Sequence, residues 1–448
     1  MSGRFDNCGA LVLGAGVSGE AAAALLLSRG GSVLLMDERE ECAESACAER
    51  TRRAGGNVLC GKTDLPGEKF GACVVSPAFP ARHPWIETCL SRGVPVVSEL
   101  ELGAAYWRGK ILAVTGSKGK SSLVKLCSDI FNGAGKSASP AGNYGVPLCR
   151  LALECPGLEW AVVEVSSFQM EYTARFRPDI AVLLNIQPDH LDRHADMAEY
   201  RALKLKMFAS MLPGALALLP DGLDAEGRLP EGVESRRFGD ALCCDWSYNG
   251  GVVEGRDAGR HVRVSLEQSW FNNEVLGLAA AAGVAAMSRA GVSADLIKQG
   301  LEMFEPLPHR LQALGIDRRG VSYVDDSKAT SLAALAAALR MTQKPVRLIA
   351  GGLLKEKEPD KVKELLTQTT KKVYLIGKCA EELFLAWKSG VPCVVCGTLD
   401  RAVSLAVRES DAGDTVLLSP GTASFDQFKG YRERGERFTE LVRAVADH

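Results

Sequence analysis

Short apolar runs alternate along the chain with longer segments of helical periodicity. The runs have the length of a strand and are mostly rich in Val, Leu and Ile: ALVLG, SVLLMD, ACVVSP, ILAVTG, WAVVEVSS, IAVLLNI, PVRLIAGG, KVYLIG and TVLLSPG. Apolar runs separated by helices are typical of parallel sheets that are buried on both faces. The pattern therefore predicts an α/β protein built on mainly parallel sheets flanked by helices.

The strand–helix series restarts twice, which predicts three domains. One restart lies near Ser98, before the strand at Lys110, and the other lies at Pro306–His309, where EPLPHR interrupts a helical pattern. The polar, glycine-rich segment Asp221–Arg260 is predicted to add loops and short strands to the middle domain. The predicted domains are 1–98, 99–306 and 307–448.

Composition and charge exclude several classes of protein. The 53 basic residues nearly balance the 55 acidic ones, so no excess of positive charge favours nucleic acid or an anionic membrane. The longest aliphatic stretch, AAAALLL, is too short to span a bilayer, and MSGRFDNCGALVLG shows no secretory signal. The 14 cysteines lack framework spacing, and CVVC at Cys393–Cys396 is typical of a buried strand, which predicts reduced thiols. We expect a cytoplasmic monomer.

The first domain opens with GAGVSG, Gly14–Gly19, between a strand and a helix, and Asp37 ends the next strand. Glycines at this spacing let the backbone approach a diphosphate that lies over a helix N-terminus. The motif predicts a dinucleotide or nucleotide-diphosphate pocket. It leaves open NAD, a UDP-sugar, or a tight turn without a ligand.

A second glycine turn, TGSKGKSS, follows the strand that begins at Ile111, but only two residues separate Gly116 from Gly119. The usual phosphate loop has four residues between its glycines. Backbone N–H groups from Gly116 to Ser121 could nevertheless wrap a phosphate. Lys120 would then reach the β- and γ-phosphates, and Ser121 would offer its hydroxyl to Mg²⁺. On the spacing alone, an exposed basic turn remains the alternative.

Further motifs follow in order: AGNYGVPL, EVSSFQME, LNIQPDHLDRH, YRALKLKMF, FNNEV, LPHR, DDSKATS and LLSPGTASFDQFKGYRERG. With the short loop, they resemble the Mur ligase family, ATP-dependent enzymes that join amino acids to a UDP-linked cell-wall precursor. The family's loop is similar to T-G-[ST]-N-G-K-[ST], so Lys118 stands where asparagine is expected. The resemblance implies Rossmann-like first and third domains and a central domain of the P-loop ATPase type.

Within the family, SSFQ, DSKAT and SPGTASFDQF resemble the member that adds D-glutamate to UDP-N-acetylmuramoyl-L-alanine. This implies that ATP phosphorylates the L-alanine carboxylate to an acyl phosphate, which the D-glutamate amine attacks to form a tetrahedral intermediate. Two alternatives stay open. One is a ligase of the same architecture that takes another amino acid or a folate, and the other is a nicotinamide-dependent oxidoreductase built on GAGVSG.

The resemblance assigns roles around the phosphate loop. The residues assigned to ATP are Gly116, Ser117, Lys118, Gly119, Lys120, Ser121, Ser122, Asn273, Arg310 and Asp326. Catalytic roles fall to Lys120, His190 and Lys204. Two Mg²⁺ sites are expected at Ser121, Glu164, His190 and Lys204, with Lys204 carbamylated. Carbamylation needs a neutral amine and hence a lowered lysine pKa. The alternative is that Lys204 and Lys206 are solvated helix charges and that His190 caps a loop.

The resemblance assigns two further groups of residues to the substrates. The UDP end falls to Val17, Ser18, Asp37, Arg39 and Asn143. D-Glutamate has two carboxylates and needs cations and hydroxyls, which the resemblance places at Lys328, Thr330, Lys355, Ser424 and Tyr431. Three points are open. Ala78 replaces a family glycine and could crowd a diphosphate, Lys355 lies in a divergent loop, and Asn272 adjoins Asn273.

Overall fold

The computed structural model describes residues 4–446 apart from 63, 68, 81, 191–192, 226, 242, 343–344, 355 and 357. It contains three sheets, each mainly parallel and flanked by helices, which confirms the predicted α/β class. The chain divides into two compact units. The first comprises Met1–Asn272 and Leu276–Phe304, and the second comprises Asn273–Val275 and Glu305–His448.

The first sheet is fully parallel, with strand order β3-β2-β1-β4-β5. Its strands are β1 (Gly9–Leu13), β2 (Ser32–Asp37), β3 (Asn57–Cys60), β4 (Ala72–Val75) and β5 (Val96–Ser98). The helices are α1 (Val17–Ser28), α2 (Ala46–Arg53), α3 (Pro84–Ser91) and α4 (Glu99–Tyr106), with a 3₁₀ turn at Glu40–Glu44. Every residue of β4 is buried, as expected for a parallel strand covered on both faces.

The central sheet has nine strands in the order β14-β13-β12-β11-β10-β9-β6-β8-β7. They are β6 (Lys110–Thr115), β7 (Ala138–Gly142), β8 (Trp160–Glu164), β9 (Ile180–Leu183), β10 (Leu216–Pro220), β11 (Glu234–Gly239), β12 (Trp246–Asn249), β13 (Val252–Asp257) and β14 (Arg260–Ser265). The polar segment Asp221–Arg260 contributes edge strands. Its last pairs, β12–β13 and β13–β14, are antiparallel because short turns join them.

Six helices accompany this sheet: α5 (Lys120–Gly133), α6 (Leu148–Glu154), α7 (Ser167–Glu171), α8 (Met197–Leu205), α9 (Leu276–Arg289) and α10 (Ala294–Glu302), with a 3₁₀ turn at Lys206–Phe208. Local sequence explains several of their starts. Ser166 and Gln169 form a capping box that begins α7, and the Asp196 carboxylate accepts a hydrogen bond from the Glu199 amide where α8 begins. These caps fix α7 and α8, which flank the carboxyl ends of the central strands.

The third sheet belongs to the second compact unit and has the order β15-β16-β20-β17-β18-β19. Its strands are β15 (Gln312–Ile316), β16 (Ser322–Asp325), β17 (Val346–Gly351), β18 (Thr370–Ile376), β19 (Cys393–Gly397) and β20 (Thr415–Leu418). The helices are α11 (Leu332–Met341), α12 (Lys363–Thr369), α13 (Ala380–Trp387), α14 (Leu399–Glu409) and α15 (Tyr431–Ala446), with a 3₁₀ turn at Pro359–Val362. Among the described strands of this sheet, only the pair β15–β16 is antiparallel.

Buried polar contacts join the first sheet to the central sheet inside the first unit. The Glu20 carboxylate of α1 accepts hydrogen bonds at 2.7 Å from both Arg50 and Arg150. The Ser98 hydroxyl lies 2.6 Å from the Thr173 hydroxyl. Such satisfied polar groups fix the orientation of the elements that they join.

All fourteen cysteines lie among the described residues as free thiols. CVVC forms the strand β19 as predicted, but the strand lies at the edge of its sheet and only Cys396 of the four residues is buried. Within the described part of the chain, no helix combines the length and the apolar character that crossing a bilayer requires.

Candidate functional site

The phosphate loop (Gly116–Ser121) connects β6 to α5, at the carboxyl end of the sheet. Gly116 and Gly119 have φ angles of +152° and +88°, which side chains disfavour. A Cβ at Gly116 would lie 3.0 Å from the Leu184 Cβ. The glycines therefore allow a tight turn whose N–H groups open onto the start of α5, a geometry suited to phosphate.

Asn185, which follows β9, holds the phosphate loop in shape. Its Oδ1 accepts hydrogen bonds from the Ser117 amide at 3.0 Å and the Lys118 amide at 2.9 Å, and its Nδ2 donates to the Lys118 carbonyl at 3.0 Å. The Ser117 hydroxyl lies 3.0 Å from the Tyr200 hydroxyl. Asn185 was not among the predicted site residues, although it lies in the segment LNIQPDHLDRH that marked the resemblance.

Lys118, which replaces the family's asparagine, forms an ion pair with Asp189. Its Nζ lies 3.1 Å from the Asp189 Oδ2, and both side chains are partly exposed. Burial raises the pKa of Asp189, but the charges of Lys118 and His190 and the hydrogen bond outweigh it, so the pKa lies below its ordinary value. Since Asn185 holds the backbone, the Lys118 side chain is not needed to shape the turn.

Lys120 and Lys204 converge on one carbonyl oxygen. The Lys120 Nζ donates to the Gly116 oxygen at 2.8 Å and to the Ser117 oxygen at 3.0 Å. The Lys204 Nζ donates to the same Gly116 oxygen at 2.9 Å and lies 4.5 Å from the centre of the Tyr200 ring. Two predicted catalytic residues that are far apart in sequence thus meet at the base of the loop.

Lys204 is almost fully buried, with 1% of its surface exposed. Burial and, after it, the charge of Lys120 lower the pKa of Lys204 to about 7, although Asp189 and Glu164 act in the opposite direction. The interpretation of Lys204 as a solvated helix charge is therefore wrong. Its amine can be neutral near pH 7, which is the condition that carbamylation requires.

Glu164 ends β8 beside the phosphate loop and is 2% exposed. Its Oε1 accepts a hydrogen bond from the Asn143 side chain at 2.7 Å. Its Oε2 is buried and has no hydrogen-bond partner among the residues that the structure describes. A buried, unpartnered carboxylate oxygen is unfavourable unless a cation or donor binds it, so Glu164 fits a Mg²⁺ ligand. Ser121 and Ser122 lie in the first turn of α5, directly after the phosphate-loop glycines.

His190 lies at the rim of the same site. Its backbone φ is +55°, its side chain is about half exposed, and its ring lies 4.9 Å from the Phe168 ring. The His190 Nε2 is 3.8 Å from the Asp189 Oδ2. In the described residues no three His, Cys, Asp or Glu side chains form a metal-binding group. A Mg²⁺ site here would therefore combine Glu164 with hydroxyl oxygen and substrate phosphate, a donor set that Mg²⁺ accepts.

The GAGVSG turn forms as predicted, between β1 and α1. A Cβ at Gly19 would lie 1.9 Å from the Gly14 carbonyl oxygen, so this glycine permits close helix–strand packing, whereas Gly16 faces open space. Val17 is 57% exposed at the start of α1, and Ser18 follows it. Ala78, the replacement for a family glycine, is also exposed.

Asp37 and Arg39 form a paired group beside this turn. The Asp37 Oδ2 accepts the Ala15 amide at 2.9 Å, and the Arg39 guanidinium donates to both carboxylate oxygens at 3.0 Å. Burial raises the pKa of Asp37, but these hydrogen bonds outweigh it and leave the pKa below its ordinary value. Asp37 therefore stays ionised and orients Arg39, whose side chain is largely exposed.

In the second unit, Asp326 follows β16 and is held in place. Its Oδ2 accepts the Ser419 hydroxyl at 2.8 Å, and its Oδ1 accepts the Leu311 amide at 3.2 Å. Burial raises the pKa of Asp326 to about 7. The Oδ2 of the neighbouring Asp325 lies 2.6 Å from the His309 Nδ1. Arg310 follows His309, and Asn273 belongs to the same unit.

The residues assigned to D-glutamate share this unit. The Lys328 Nζ lies 4.0 Å from the centre of the Tyr431 ring, so these two residues form one contact pair. Ser424 is 2% exposed, and Thr330 is exposed. Lys355 lies outside the described residues.

Arg434 of α15 is a buried residue that the sequence analysis missed. Its Nε donates to the Ser327 hydroxyl at 3.0 Å, and its Nη2 donates to the Ser327 and Thr422 carbonyls at 2.9 and 3.1 Å. Burial lowers the pKa of Arg434 to about 10. It ties the segment after β16 to the segment after β20, which carry Lys328 and Ser424.

Comparison with known proteins gives two family descriptions for this chain. The Mur ligase middle domain matches residues 114–229, and the Mur ligase glutamate ligase domain matches residues 309–421. The UDP-N-acetylmuramoylalanine–D-glutamate ligase of Acidobacterium capsulatum is 36% identical over 447 residues, which cover 97% of this chain and 96% of that protein.

Solved structures show the same fold. The UDP-N-acetylmuramate–alanine ligase of Thermotoga maritima superposes with a TM-score of 0.60 at 15% identity, covering 98% of this chain and 100% of that one. The MurF ligase of Thermotoga maritima, in complex with ADP, has a TM-score of 0.59 at 18% identity and covers 84% and 95%. Because a D-glutamate ligase is 36% identical to this chain over nearly its full length and two family domains match, the chain belongs to the Mur ligase family.

Proposed function

We propose that this protein is an ATP-dependent ligase that joins D-glutamate to UDP-N-acetylmuramoyl-L-alanine in peptidoglycan precursor synthesis. The observation that carries the proposal is the meeting of Lys120, Lys204 and Glu164 around the phosphate loop, in a chain 36% identical to a ligase of that name. A MurF ligase of the same fold was solved in complex with ADP, which supports an adenine nucleotide as a substrate of this chain.

The chemistry requires an activated carboxylate, because a carboxylate and an amine do not condense unaided in water. ATP transfers its γ-phosphoryl group to the L-alanine carboxylate, which gives an acyl phosphate. The D-glutamate amine attacks its carbonyl carbon, and the tetrahedral intermediate expels phosphate. Phosphoryl transfer between anions depends on positioning and on cations. Lys120, fixed by two carbonyl oxygens, places such a cation at the phosphate loop.

The Glu164 carboxylate and the Ser121 hydroxyl suit Mg²⁺. When bound, Mg²⁺ neutralises phosphate charge and polarises phosphoryl oxygens. Glu164 would hold it through the unpartnered Oε2, with Ser121 and His190 as further ligands. Lys204 would contribute to a second site after carbamylation of its neutral amine. Asn143 orients the Glu164 carboxylate by its hydrogen bond to Oε1.

The remaining assignments are part of the same proposal. Val17, Ser18, Asp37, Arg39 and Asn143 bind the UDP end; Lys328, Thr330, Lys355, Ser424 and Tyr431 bind D-glutamate. Asn273, Arg310 and Asp326 are assigned to ATP. The domains are 1–98, 99–306 and 307–448, and the protein acts as a monomer in the cytoplasm.

The test is phosphate release by the purified protein with ATP, Mg²⁺ and UDP-N-acetylmuramoyl-L-alanine, compared across D-glutamate, L-glutamate, L-lysine and no amino acid. We expect turnover with D-glutamate alone and its loss in Lys120→Ala. Turnover with another amino acid would contradict the proposed specificity for D-glutamate but would be consistent with the proposed mechanism. If the protein releases no phosphate but reduces NAD(P) when it is added in a separate assay, the proposal is wrong and the protein is an oxidoreductase.

A further inference from the structure

A basic cavity of about 690 Å³ lies at the opposite end of the central sheet from the phosphate loop. It is lined by Lys110, Trp160 and Ile180, which are the first residues of β6, β8 and β9. The phosphate loop follows the last residue of β6, so the length of the strand separates the two places. All residues that line the basic cavity belong to the first compact unit.

The wall of this cavity is strongly cationic, although the whole chain has a formal net charge of −2. Five arginines in the wall have no carboxylate partner among the residues described by the structure: Arg4, Arg29, Arg108, Arg175 and Arg177. Lys110 adds a sixth cation, which lies 5.5 Å from the Trp160 ring centre. A concave surface lined by one sign of charge concentrates ligands of the opposite sign.

The two carboxylates in the wall do not pair with these arginines. The Glu101 side chain accepts the backbone amides of Ala174 at 3.1 Å and of Arg175 at 2.9 Å. The Asp179 Oδ2 accepts the Ile111 amide at 2.8 Å. Their hydrogen-bonding capacity is committed to the backbone, so the guanidinium groups remain open to an external anion.

Two buried donors in the wall provide a second, independent observation. Trp160 is 2% exposed, and its indole N–H is buried without an acceptor among the described residues. The Arg29 Nε is buried and lacks an acceptor in the same part of the chain, while its guanidinium lies 4.9 Å from the Tyr106 ring. Both nitrogen atoms are closed off from solvent, so they add positive partial charge behind the wall, and a ligand would contact them only after a local shift.

We propose that the basic cavity binds a di- or triphosphate group, separately from the phosphate loop. Phosphate oxygens match the guanidinium fork and accept from several donors at once. Tyr106 and Trp107 in the wall are only 5% and 8% exposed, so they offer a nucleobase little area for stacking. The phosphate chain itself is therefore the recognised element, whether it is free or part of a nucleotide.

The test is titration calorimetry of the full-length protein with inorganic pyrophosphate, and with GDP in a second arm. Arg108→Ala/Arg177→Ala removes two exposed cations of the wall, and Arg318→Ala removes an exposed arginine of the second unit as the matched control. Lys120→Ala removes the lysine of the phosphate loop and so tests whether pyrophosphate binds there instead. We expect the double variant to weaken pyrophosphate binding at least about tenfold, while Lys120→Ala and Arg318→Ala retain a binding event.

Equal affinity for pyrophosphate and GDP supports recognition of the phosphate chain. The proposal is overturned if the double variant binds like the wild type, or if Lys120→Ala abolishes all binding. GDP binding much tighter than pyrophosphate would overturn the claim that the base is not recognised. Arg108→Lys/Arg177→Lys preserves the charge and should retain most of the affinity, which separates charge loss from misfolding. Ligase turnover without pyrophosphate should be the same in both double variants.

Discussion

The Lys204 ammonium lies 2.9 Å from the Gly116 carbonyl oxygen, which also accepts a hydrogen bond from Lys120 at 2.8 Å. Two amino groups share one acceptor in a buried place, so their mutual repulsion and the burial together favour the neutral form of Lys204. This arrangement links the shape of the phosphate loop to the reactivity of a lysine that is remote in sequence.

Replacement of Lys204 by methionine should abolish ligation while the fold is kept. Methionine preserves much of the buried volume but cannot form a carbamate or bond to Gly116. We expect kcat to fall by roughly a hundredfold to a thousandfold, as when an electrostatic group of an active site is removed. The control is Lys206→Met, because the Lys206 Nζ bonds to the Met170 carbonyl instead. Comparable losses in both variants would contradict a special role for Lys204.

Asn185→Ala should weaken ATP binding, because it removes the three hydrogen bonds that hold Ser117 and Lys118. We expect the KM for ATP to rise about tenfold or more, since each net hydrogen bond contributes on the order of 1 kcal/mol. Asn185→Asp keeps the acceptor, but it loses the donor to the Lys118 carbonyl and adds a negative charge beside the phosphate loop, so it should also raise the KM for ATP. An unchanged KM in Asn185→Ala would show that the loop needs no such support.

Lys118→Asn, which restores the family's residue, should have a small effect. The Lys118–Asp189 pair is partly exposed, and such pairs contribute about 0–1 kcal/mol. Because Asn185 holds the backbone, we expect a stability change below about 1 kcal/mol and a KM for ATP within about threefold of the wild type. Asp189→Asn breaks the same pair from the other side. If Lys118→Asn alone lost activity, the lysine itself would contact the nucleotide.

The buried carboxyl group of Glu99 should make the stability of the protein depend on pH. Burial raises the pKa of Glu99 from its ordinary value to about 7. Between about pH 4.5 and pH 7 the folded protein keeps a proton that the unfolded chain has lost, so stability falls as the pH rises through this window. Glu99→Gln should remove this fall and raise stability at pH 8 by up to roughly 3 kcal/mol, with little change at pH 4.

The free energy of unfolding of the wild type and of Glu99→Gln is measured by urea denaturation at pH 4, 6 and 8. Glu87→Gln serves as the control, because Glu87 is exposed on α3. A stability difference between wild type and Glu99→Gln that stays the same at all three pH values would refute the assigned pKa.

The sequence predicted the local parts of the fold well. ALVLG lies almost entirely in β1 and CVVC lies in β19, and both glycine turns join a strand to a helix as predicted. Such features depend on residues that are close in sequence. The β12–β14 ribbon was predicted only as loops and short strands, because polar edge strands lack a strong hydrophobic pattern.

The long-range contacts that build the site could not be predicted from the sequence pattern. Lys204 reaches Gly116 across 88 positions of sequence, and the buried Arg434 bonds to Ser327 across 107 positions. Periodicity shows which face of an element is buried but not which distant residue it meets. Lys204 could be named only through the family resemblance, and Asn185 and Arg434 lay within marked segments without being singled out.

The most direct test of the account follows oxygen from substrate to product. UDP-N-acetylmuramoyl-L-alanine labelled with ¹⁸O in its alanine carboxylate is incubated with the protein, ATP, Mg²⁺ and D-glutamate, and the released phosphate and the nucleotide product are analysed by mass spectrometry. Activation through an acyl phosphate predicts that one labelled oxygen passes to the released phosphate for each D-glutamate joined. Unlabelled phosphate, or ligation without ATP cleavage, would contradict the account.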